Sequence, residues 1–165
     1  MALLRAGEPQ MEPAATTLPA DRYHDAGVLQ REIRHVLWGS PSPLAHASAL
    51  PRARAGSYIT HDAAGLPVVL HRDAREPDRV RAYLNVCRHR GTRLVTQPRG
   101  TKRAGARWVC PYHGWQYKAA SGQLTRVPDG YGFEGLPEDG AVAMAARNLT
   151  RLRCVERHGF VWVAL

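Results

Sequence analysis

The chain has 165 residues, a length that allows one ordinary domain with arms but not two full domains. Hydrophobic residues make up 44% of it, enough for a buried core, while 23 Lys and Arg outnumber 14 Asp and Glu. No apolar run approaches the roughly 18 residues that cross a bilayer, and the first residues do not resemble a signal peptide. We therefore expect a cytoplasmic protein with no membrane partner. Its preference for Arg and Ala is typical of a GC-rich bacterial genome.

The beginning of the chain predicts two arms. Residues 1–20 are rich in Ala and Pro without periodicity, which predicts a flexible N-terminal arm. Residues 21–50 predict a helical arm, because an apolar stripe runs along it at helical spacing, formed by Leu29, Ile33, Val36 and Leu37. Gly39 and Pro41 are expected to end this helix.

From residue 56 onward the apolar period changes to two, which predicts short strands. They are expected at residues 57–60, 67–72, 80–86, 107–110, 115–118, 123–126, 151–155 and 159–165. The alternation within 80–86 predicts a strand with one buried face. Together they predict a mostly β fold over residues 51–165, a small antiparallel sandwich or barrel. The final strand is apolar on both faces and lacks a polar tail, so we expect that the sequence is cut from a longer protein.

Three cysteines make a poor disulfide framework in a chain of this kind, so metal ligands or buried thiols are the better expectation. Cys154 lies within an apolar strand pattern and is predicted to be a buried thiol. Cys87 and Cys110 each follow a predicted strand, and each has a histidine close behind it.

These histidines complete two short motifs. Residues 85–91 have the sequence Asn-Val-Cys-Arg-His-Arg-Gly, and residues 110–115 have the sequence Cys-Pro-Tyr-His-Gly-Trp. The pattern is C-x-H, then twenty intervening residues, then C-x-x-H. Cys87, His89, Cys110 and His113 are therefore candidate metal ligands. Gly91 and Gly114, each just beyond a ligand, allow tight turns that bring backbone N–H groups towards an anionic cluster.

Two kinds of metal site fit this donor set. A tetrahedral Cys2His2 zinc module has the same inventory, but zinc ligands usually come as like pairs. Here each motif supplies one thiolate and one imidazole, as expected when two metals lie side by side and each loop contributes one ligand to each. That arrangement favours an iron–sulfur cluster in which the thiolates share one iron and the imidazoles the other. The zinc-binding module remains an alternative.

The two motifs resemble those of Rieske proteins, and their context resembles the large (α) subunit of Rieske ring-hydroxylating oxygenases. The matching stretches are residues 18–38, 55–58, 65–70, 84–91, 110–117, 127–128 and 158–163. The resemblance implies a Rieske-type β-sandwich whose cluster-binding part spans about 85–118. It implies a [2Fe–2S] cluster on the four candidate ligands, in an environment formed by Arg88, Arg90, Gly91, Pro111, Tyr112, Gly114 and Trp115.

The sequence departs from the respiratory Rieske proteins in its ligand loops. Thr92 and Tyr112 lie where those proteins carry an extra pair of cysteines joined as a disulfide, and Trp115 lies where they carry a serine that donates to a bridging sulfide. We expect Trp115 to shield the cluster from solvent. Fewer hydrogen bonds to sulfur predict a reduction potential in the lower part of a range that begins near about −150 mV. The loop over 90–109 is longer than usual in the family, with the excess expected at 99–107.

By this resemblance the chain is the N-terminal part of an oxidoreductase, a Rieske monooxygenase or dioxygenase. Its role would be one-electron transfer from a ferredoxin or flavin reductase, within a trimer-like homo-oligomer. The catalytic domain, with its mononuclear Fe(II), is absent, so the chain alone is not expected to activate oxygen. The remaining histidines are expected to be ordinary surface or core residues: His24, His35, His46, His61, His71 and His158. A stand-alone Rieske ferredoxin-like electron carrier is the first alternative function.

The region around the candidate ligands is strongly basic. Residues 79–125 contain ten Lys or Arg and no acidic residue. Such a field steers an acidic electron donor, or it is a solvated surface that balances the charge of an anionic cluster. Nucleic acid is not an expected partner, because no stacking-aromatic motif or reading helix accompanies the charge.

Overall fold

The computed structural model describes residue 7 and residues 14–52, 56–128 and 144–165. Most of the predicted flexible arm over 1–20 lies outside the described residues. The described part is mostly β, and every strand pairing in it is antiparallel, which confirms the predicted fold class. No described helix is long and apolar enough to span a membrane.

The strands follow one another along the chain. They are β1 (Ser42–His46), β2 (Gly56–Ala63), β3 (Leu66–Arg72), β4 (Val80–Leu84), β5 (Arg99–Lys102), β6 (Arg107–Val109), β7 (Gln116–Lys118), β8 (Leu124–Arg126), β9 (Arg151–Arg157) and β10 (Phe160–Ala164). Helix α1 (Ala26–Glu32) follows a 3-10 turn at Ala20–Tyr23 and continues into a π-helical turn at Ile33–Leu37. A second 3-10 turn covers Ala47–Ala49.

Helix α1 lies within residues 21–50, the predicted helical arm. The side chain of Asp25 caps it by accepting hydrogen bonds from the backbone N–H groups of Gly27 (2.6 Å) and Val28 (3.2 Å). The apolar stripe, however, lies on the surface, with Leu29 52% and Val36 55% exposed. Tertiary packing in the described part of the chain therefore does not explain this stripe.

Strand β1 is a correction to the sequence prediction, which placed its residues in the helical arm over 21–50. It forms an edge of the large sheet, where Pro43 pairs with Trp162 and His46 with Phe160 of β10. Proline is tolerated at a sheet edge, but it gives no alternation signal, and the pairing partner is far away in sequence. The domain boundaries themselves stay a prediction.

Strand β5 is a second element that periodicity did not indicate. The sequence predicts extra loop at 99–107, but Arg99–Lys102 pairs with β2. Gly100 lies against the ring of Tyr58, so closely that an added Cβ would be 2.6 Å from its hydroxyl oxygen. A polar strand that contains glycine has no apolar alternation, so the sequence alone does not reveal it and only its pairing with β2 does.

The seven-stranded sheet has the order β1-β10-β9-β4-β3-β2-β5 and curls over itself. Val161 and Val163 of β10 belong to the same buried cluster as Val68 and Leu70 of β3. In a flat sheet, three strand spacings would separate these strands by roughly 14 Å. The curl brings them into one core and forms the predicted sandwich-like architecture.

A smaller sheet with the order β6-β7-β8 covers the opposite face of β3 and β4. Val69 and Tyr83 from the large sheet share a second buried cluster with Trp108 and Tyr117 from the small sheet. The prediction of one buried face for the strand over 80–86 is therefore wrong. Both faces of β4 are buried, because it lies between two cores.

A buried charge joins β3 to β9. Arg72 is 2% exposed, and its guanidinium donates to the backbone carbonyls of Leu50 (2.7 Å) and Pro77 (2.6 Å). It also pairs with Glu156, whose second oxygen pairs with Arg52 at 3.2 Å. The hydrogen bond from Arg72 lowers the pKa of Glu156. Every polar group of Arg72 thus has a role in holding the curled sheet, as a buried charge requires.

His71, next to Arg72, is buried between the two sheets with its ring edge-to-face on Trp108. Burial lowers its pKa from 6.5 to about 4; the charge on Asp73 partly opposes this shift, and Arg81 adds to it. The folded protein therefore holds His71 neutral, while the unfolded chain binds a proton on it below about pH 6.5.

We predict that this histidine makes folding sensitive to mild acid. Its contribution to stability is complete above about pH 6.5 and is lost as the pH falls towards 4. At about pH 5 the loss amounts to about 2 kcal/mol. Chemical unfolding followed by circular dichroism near pH 7 and pH 5 measures it. His71→Gln, which cannot titrate, should remove this part of the difference; an unchanged pH dependence in the variant would contradict the assignment.

Candidate metal centre

The first candidate ligand loop, residues 85–91, leaves the large sheet after β4. The backbone N–H of Cys87 donates to the carbonyl of Thr92 at 2.8 Å, and the N–H of Gly91 donates to the carbonyl of Cys87 at 3.0 Å. Gly91 has a φ of +74°, a left-handed conformation that glycine adopts without strain. The loop is thus a tight turn with Cys87 at its base.

The second ligand loop joins β6 to β7 and repeats this backbone arrangement. Here the N–H of Cys110 donates to the carbonyl of Trp115 at 2.8 Å, and the N–H of Gly114 donates to the carbonyl of Cys110 at 3.0 Å. Gly114 has a φ of +66°. Each cysteine is therefore held by one hydrogen bond through its N–H and another through its carbonyl, in both loops.

The two loops differ in where the histidine lies, and this makes the site asymmetric. His89 is the second residue after its cysteine; it is half-buried and stacks on Trp115, with ring centroids 4.9 Å apart and planes 5° apart. His113 is the third residue after its cysteine and is exposed, and its ring centroid lies 3.7 Å from that of Tyr112. The two imidazole centroids are 4.6 Å apart.

The two thiols lie on the buried side of the site. Cys87 is 2% and Cys110 3% exposed, and both belong to the same buried cluster. Burial raises the pKa of Cys87 and the neighbouring Cys110 raises it further, while a hydrogen bond from Tyr117 lowers it. Two thiolates side by side in a dry interior thus need a positive charge to stabilise them.

Tyr117 is a site residue that the sequence prediction did not include. Its hydroxyl accepts a hydrogen bond from the backbone N–H of Arg88 at 3.1 Å and lies 3.3 Å from the Sγ of Cys87. Because its acceptor side is taken by the N–H, the hydroxyl can direct its own hydrogen to the sulfur. The sequence did contain a signal for this residue. Tyr117 lies two residues beyond Trp115 in a predicted strand, so both side chains are expected on the same, core-facing side.

The donor set fits a [2Fe–2S] cluster. The Nδ1 atom of His89 is buried and has no hydrogen-bond partner among the described residues, so its lone pair is available to a metal. Loss of hydration lowers the pKa of His89, and His113 and Arg90 lower it further, which favours the neutral form of the ring. No three His, Cys, Asp or Glu side chains in the described part of the chain converge on one metal position. A two-iron cluster does not require such convergence, because each iron takes two protein ligands.

The residues predicted to form the cluster environment divide into two groups. Trp115 is 2% exposed and stacks on His89, and its role as a shield of the cluster stays a prediction. The remaining side chains lie on the outer surface, namely those of Arg88, Arg90, Pro111 and Tyr112. The site thus has an interior half made of sulfur and aromatic rings and an exterior half that is basic.

The basic field is smaller than the sequence indicates. Arg79 and Arg81 pair with Glu76, and Arg93 pairs with Asp62. The other seven basic residues of 79–125 make no ion pair with any acidic residue that the structure describes: Arg88, Arg90, Arg99, Lys102, Arg103, Arg107 and Lys118. Two of them flank His89 in sequence.

Residues 40–136 match the Rieske [2Fe-2S] domain family, a stretch that includes both ligand loops. The chain belongs to this family. Its cofactor is accordingly a Rieske-type [2Fe–2S] cluster, as the sequence resemblance implied.

The relatives of this Rieske domain include oxygenase subunits. It is 33% identical over 153 residues to the methanesulfonate monooxygenase hydroxylase subunit alpha of Methylosulfonomonas methylovora, covering 87% of this chain and 34% of the relative. It is 33% identical over 150 residues to the carnitine monooxygenase oxygenase subunit of Escherichia coli K12, covering 90% of this chain and 36% of the relative. The predicted resemblance to oxygenase large subunits is confirmed, and these relatives are components of larger systems.

Solved structures agree. A quaternary ammonium Rieske monooxygenase in its apo form superposes with a TM-score of 0.72 at 28% identity, covering 89% of this chain and 39% of that one. Naphthalene 1,2-dioxygenase from Rhodococcus sp. superposes with a TM-score of 0.74 at 26% identity, covering 90% and 31%. The Rieske domain described here therefore spans about a third of the length of these proteins.

We predict that Tyr117→Phe lowers the reduction potential of the loaded Rieske domain. A hydrogen bond to sulfur stabilises the more negative, reduced cluster. The loss of about 1 kcal/mol of that stabilisation corresponds to roughly 40 mV for one electron. Protein-film voltammetry measures the shift, and Tyr83→Phe, which removes a buried hydroxyl that donates to Ala120, is the control. Equal potentials for Tyr117→Phe and the wild type would show that the hydroxyl does not act on the sulfur.

Proposed function

We propose that Cys87 and Cys110 bind one iron of the cluster and that His89 and His113 bind the other. The observation that carries this assignment is the buried Nδ1 of His89, which has no hydrogen-bond partner among the described residues. The ring centroid of His89 lies 4.6 Å from that of His113, and the same two loops carry the buried thiols. In this assignment the two cysteines are the inner ligands, and the exposed ring of His113 is the outermost one.

The bound cluster supplies reversible one-electron transfer. In this proposal the chain's own residues keep water from the sulfur side, since Trp115 and Tyr117 are buried there. The outer half presents His113 and Tyr112 to a redox partner. Because the relatives are oxygenase subunits, we propose that the domain works within a Rieske mono- or dioxygenase that includes further chain.

Assembly with other subunits is part of the same proposal. Inter-subunit electron transfer is described for the quaternary ammonium monooxygenase. The exposed position of His113 is compatible with a neighbouring protein surface contacting it. A homo-oligomer, trimer-like as the family resemblance implies, is therefore the assembly that we propose for the longer protein.

Metal analysis of the anaerobically purified chain tests the ligand set. We expect iron and labile sulfide in equal amounts, together with a reduced-state EPR signal of the mixed Cys/His type. Cys87→Ala and His113→Ala should lower the iron content by more than about tenfold. Cys154→Ala is the matched control and should keep the cluster, because this half-buried thiol instead donates to the carbonyl of Val80 at 3.2 Å.

Two results would overturn this assignment. Zinc without labile sulfide in the wild-type chain would replace the cluster with the Cys2His2 zinc module. Retention of the EPR signal in either ligand variant would remove that residue from the ligand set.

We further propose that the electron donor, a ferredoxin or flavin reductase, presents an acidic surface to the unpaired basic residues. Arg88 and Arg90 are exposed beside His89 and make no ion pair with the described residues, so they are available to such a donor. Complementary charge accelerates encounter between proteins.

Charge reversal tests the docking surface. We expect Arg88→Glu/Arg90→Glu to slow reduction by a plant-type ferredoxin, an acidic donor with a potential near about −400 mV, by about tenfold at low ionic strength. Stopped-flow spectroscopy at several salt concentrations measures the rate, and salt should reduce the difference. The control Arg31→Glu/Arg34→Glu makes the same change of net charge on the helical arm. Equal slowing in both variants would contradict a docking surface at the cluster.

A further inference from the structure

Asn85 is completely buried, two residues before Cys87, and both polar atoms of its side chain are paired. Its Nδ2 donates to the backbone carbonyl of Val95 at 2.7 Å. Its Oδ1 accepts from the backbone N–H of the same residue at 2.9 Å. One side-chain amide thus makes both hydrogen bonds that an opposing peptide strand would make with Val95.

The backbone around Asn85 explains why a side chain does this. The regular pairing of β4 ends at Leu84, although the N–H of Asn85 still donates to the carbonyl of Pro67 at 2.8 Å. The next cross-chain contacts are a long bond from Leu94 to the Asn85 carbonyl, at 3.4 Å, and an isolated bridge between Val86 and Arg93. Regular strand pairing has ended here, and the side-chain amide adds two hydrogen bonds between the arms of the loop.

The two hydrogen bonds between Asn85 and Val95 lie at the base of the first ligand loop. Asn85 and Val95 bracket the segment that carries Cys87 and His89. Leu94 and Val95 belong to the same buried cluster as Cys87 and Cys110. A shift of Val95 relative to Asn85 would therefore move Cys87 against its partner thiol.

Among side chains of this length, only an amide can both donate to the Val95 carbonyl and accept from the Val95 N–H. Aspartate keeps the acceptor for the Val95 N–H but turns a second acceptor towards its carbonyl. Leucine has a similar shape and pairs with neither group, which leaves a buried N–H and a buried C=O without partners.

We propose that Asn85 is a positioning residue for the iron–sulfur cluster, closing the ligand loop so that Cys87 and His89 hold a fixed geometry. This inference rests on the proposed ligand set. Electron transfer favours a site that changes little between oxidation states, and the amide clamp supplies that rigidity without contacting a ligand atom.

Asn85→Leu, Asn85→Asp and the control Asn148→Leu test the clamp. The Oδ1 of Asn148 accepts from the backbone N–H of Leu124 at 2.8 Å, so its replacement also removes a side-chain-to-backbone bond, but outside both ligand loops. Each variant of the full chain is loaded with cluster, and three quantities are measured: the reduced-state EPR g values, the reduction potential, and the rate of iron loss to a chelator.

We expect Asn85→Leu to shift or broaden the EPR signal, to move the potential, and to lose iron about tenfold faster than the wild type. Asn148→Leu should lower thermal stability yet leave these three readouts unchanged in the loaded protein. If Asn85→Leu is less stable but has wild-type g values, potential and iron loss, the role of Asn85 is structural only and the proposal fails.

Asn85→Asp decides the question if the leucine variant does not fold. Its new charge alters the potential directly, so the chelator rate and EPR linewidth are the relevant readouts, and wild-type values for both would overturn the proposal. The wild-type chain is measured first. A wild type without any cluster would refute the proposed function, whereas a loaded wild type with unaffected Asn85 variants would refute the clamp alone.

Discussion

Two thiols buried side by side set the main constraint on this domain. Cys87 and Cys110 contact each other in an interior from which water is excluded, and both burial and proximity raise the pKa of Cys87. The hydroxyl of Tyr117 and the backbone N–H of His89 act in the opposite direction. The protein alone therefore disfavours the ionised pair; in the ligand set proposed above, iron bound by both thiolates would supply the missing charge. With this ligand set, binding of the cluster and stability of the ligand loops would be coupled.

The architecture brings the thiols together from two separate sheets. One loop extends from the large curled sheet and the other is a hairpin of the small sheet, and one buried cluster contains residues of both. Both loops use the same pair of backbone hydrogen bonds around the cysteine. The position of the histidine differs, since one residue more lies between Cys110 and His113 than between Cys87 and His89. One imidazole lies under Trp115 and the other at the surface. A protected interior and an accessible exterior suit a centre that exchanges electrons with a partner.

Strands whose apolar residues alternate were predictable within a few residues. Strands β1 and β5 were not, because Pro43 interrupts one, Gly100 lies in the other, and each is specified by a distant neighbour. The second buried face of β4 was also missed. Tyr83 and Asn85 alternate with apolar residues and so resemble a solvent face, until the small sheet and the ligand loop cover them.

The sequence by itself determined the chemistry of this protein: two Cys–His motifs, their spacing, and the family to which they belong. These follow from residue types at short range, where a thiol and an imidazole a few positions apart have few other uses. Tertiary structure decided what surrounds the ligands. It placed Tyr117 on the sulfur, Asn85 across the base of a loop, and three of ten basic residues in ion pairs. The contacts of Tyr117, Asn85 and Arg93 join residues that are 30, 10 and 31 positions apart, and no local pattern specifies such distances.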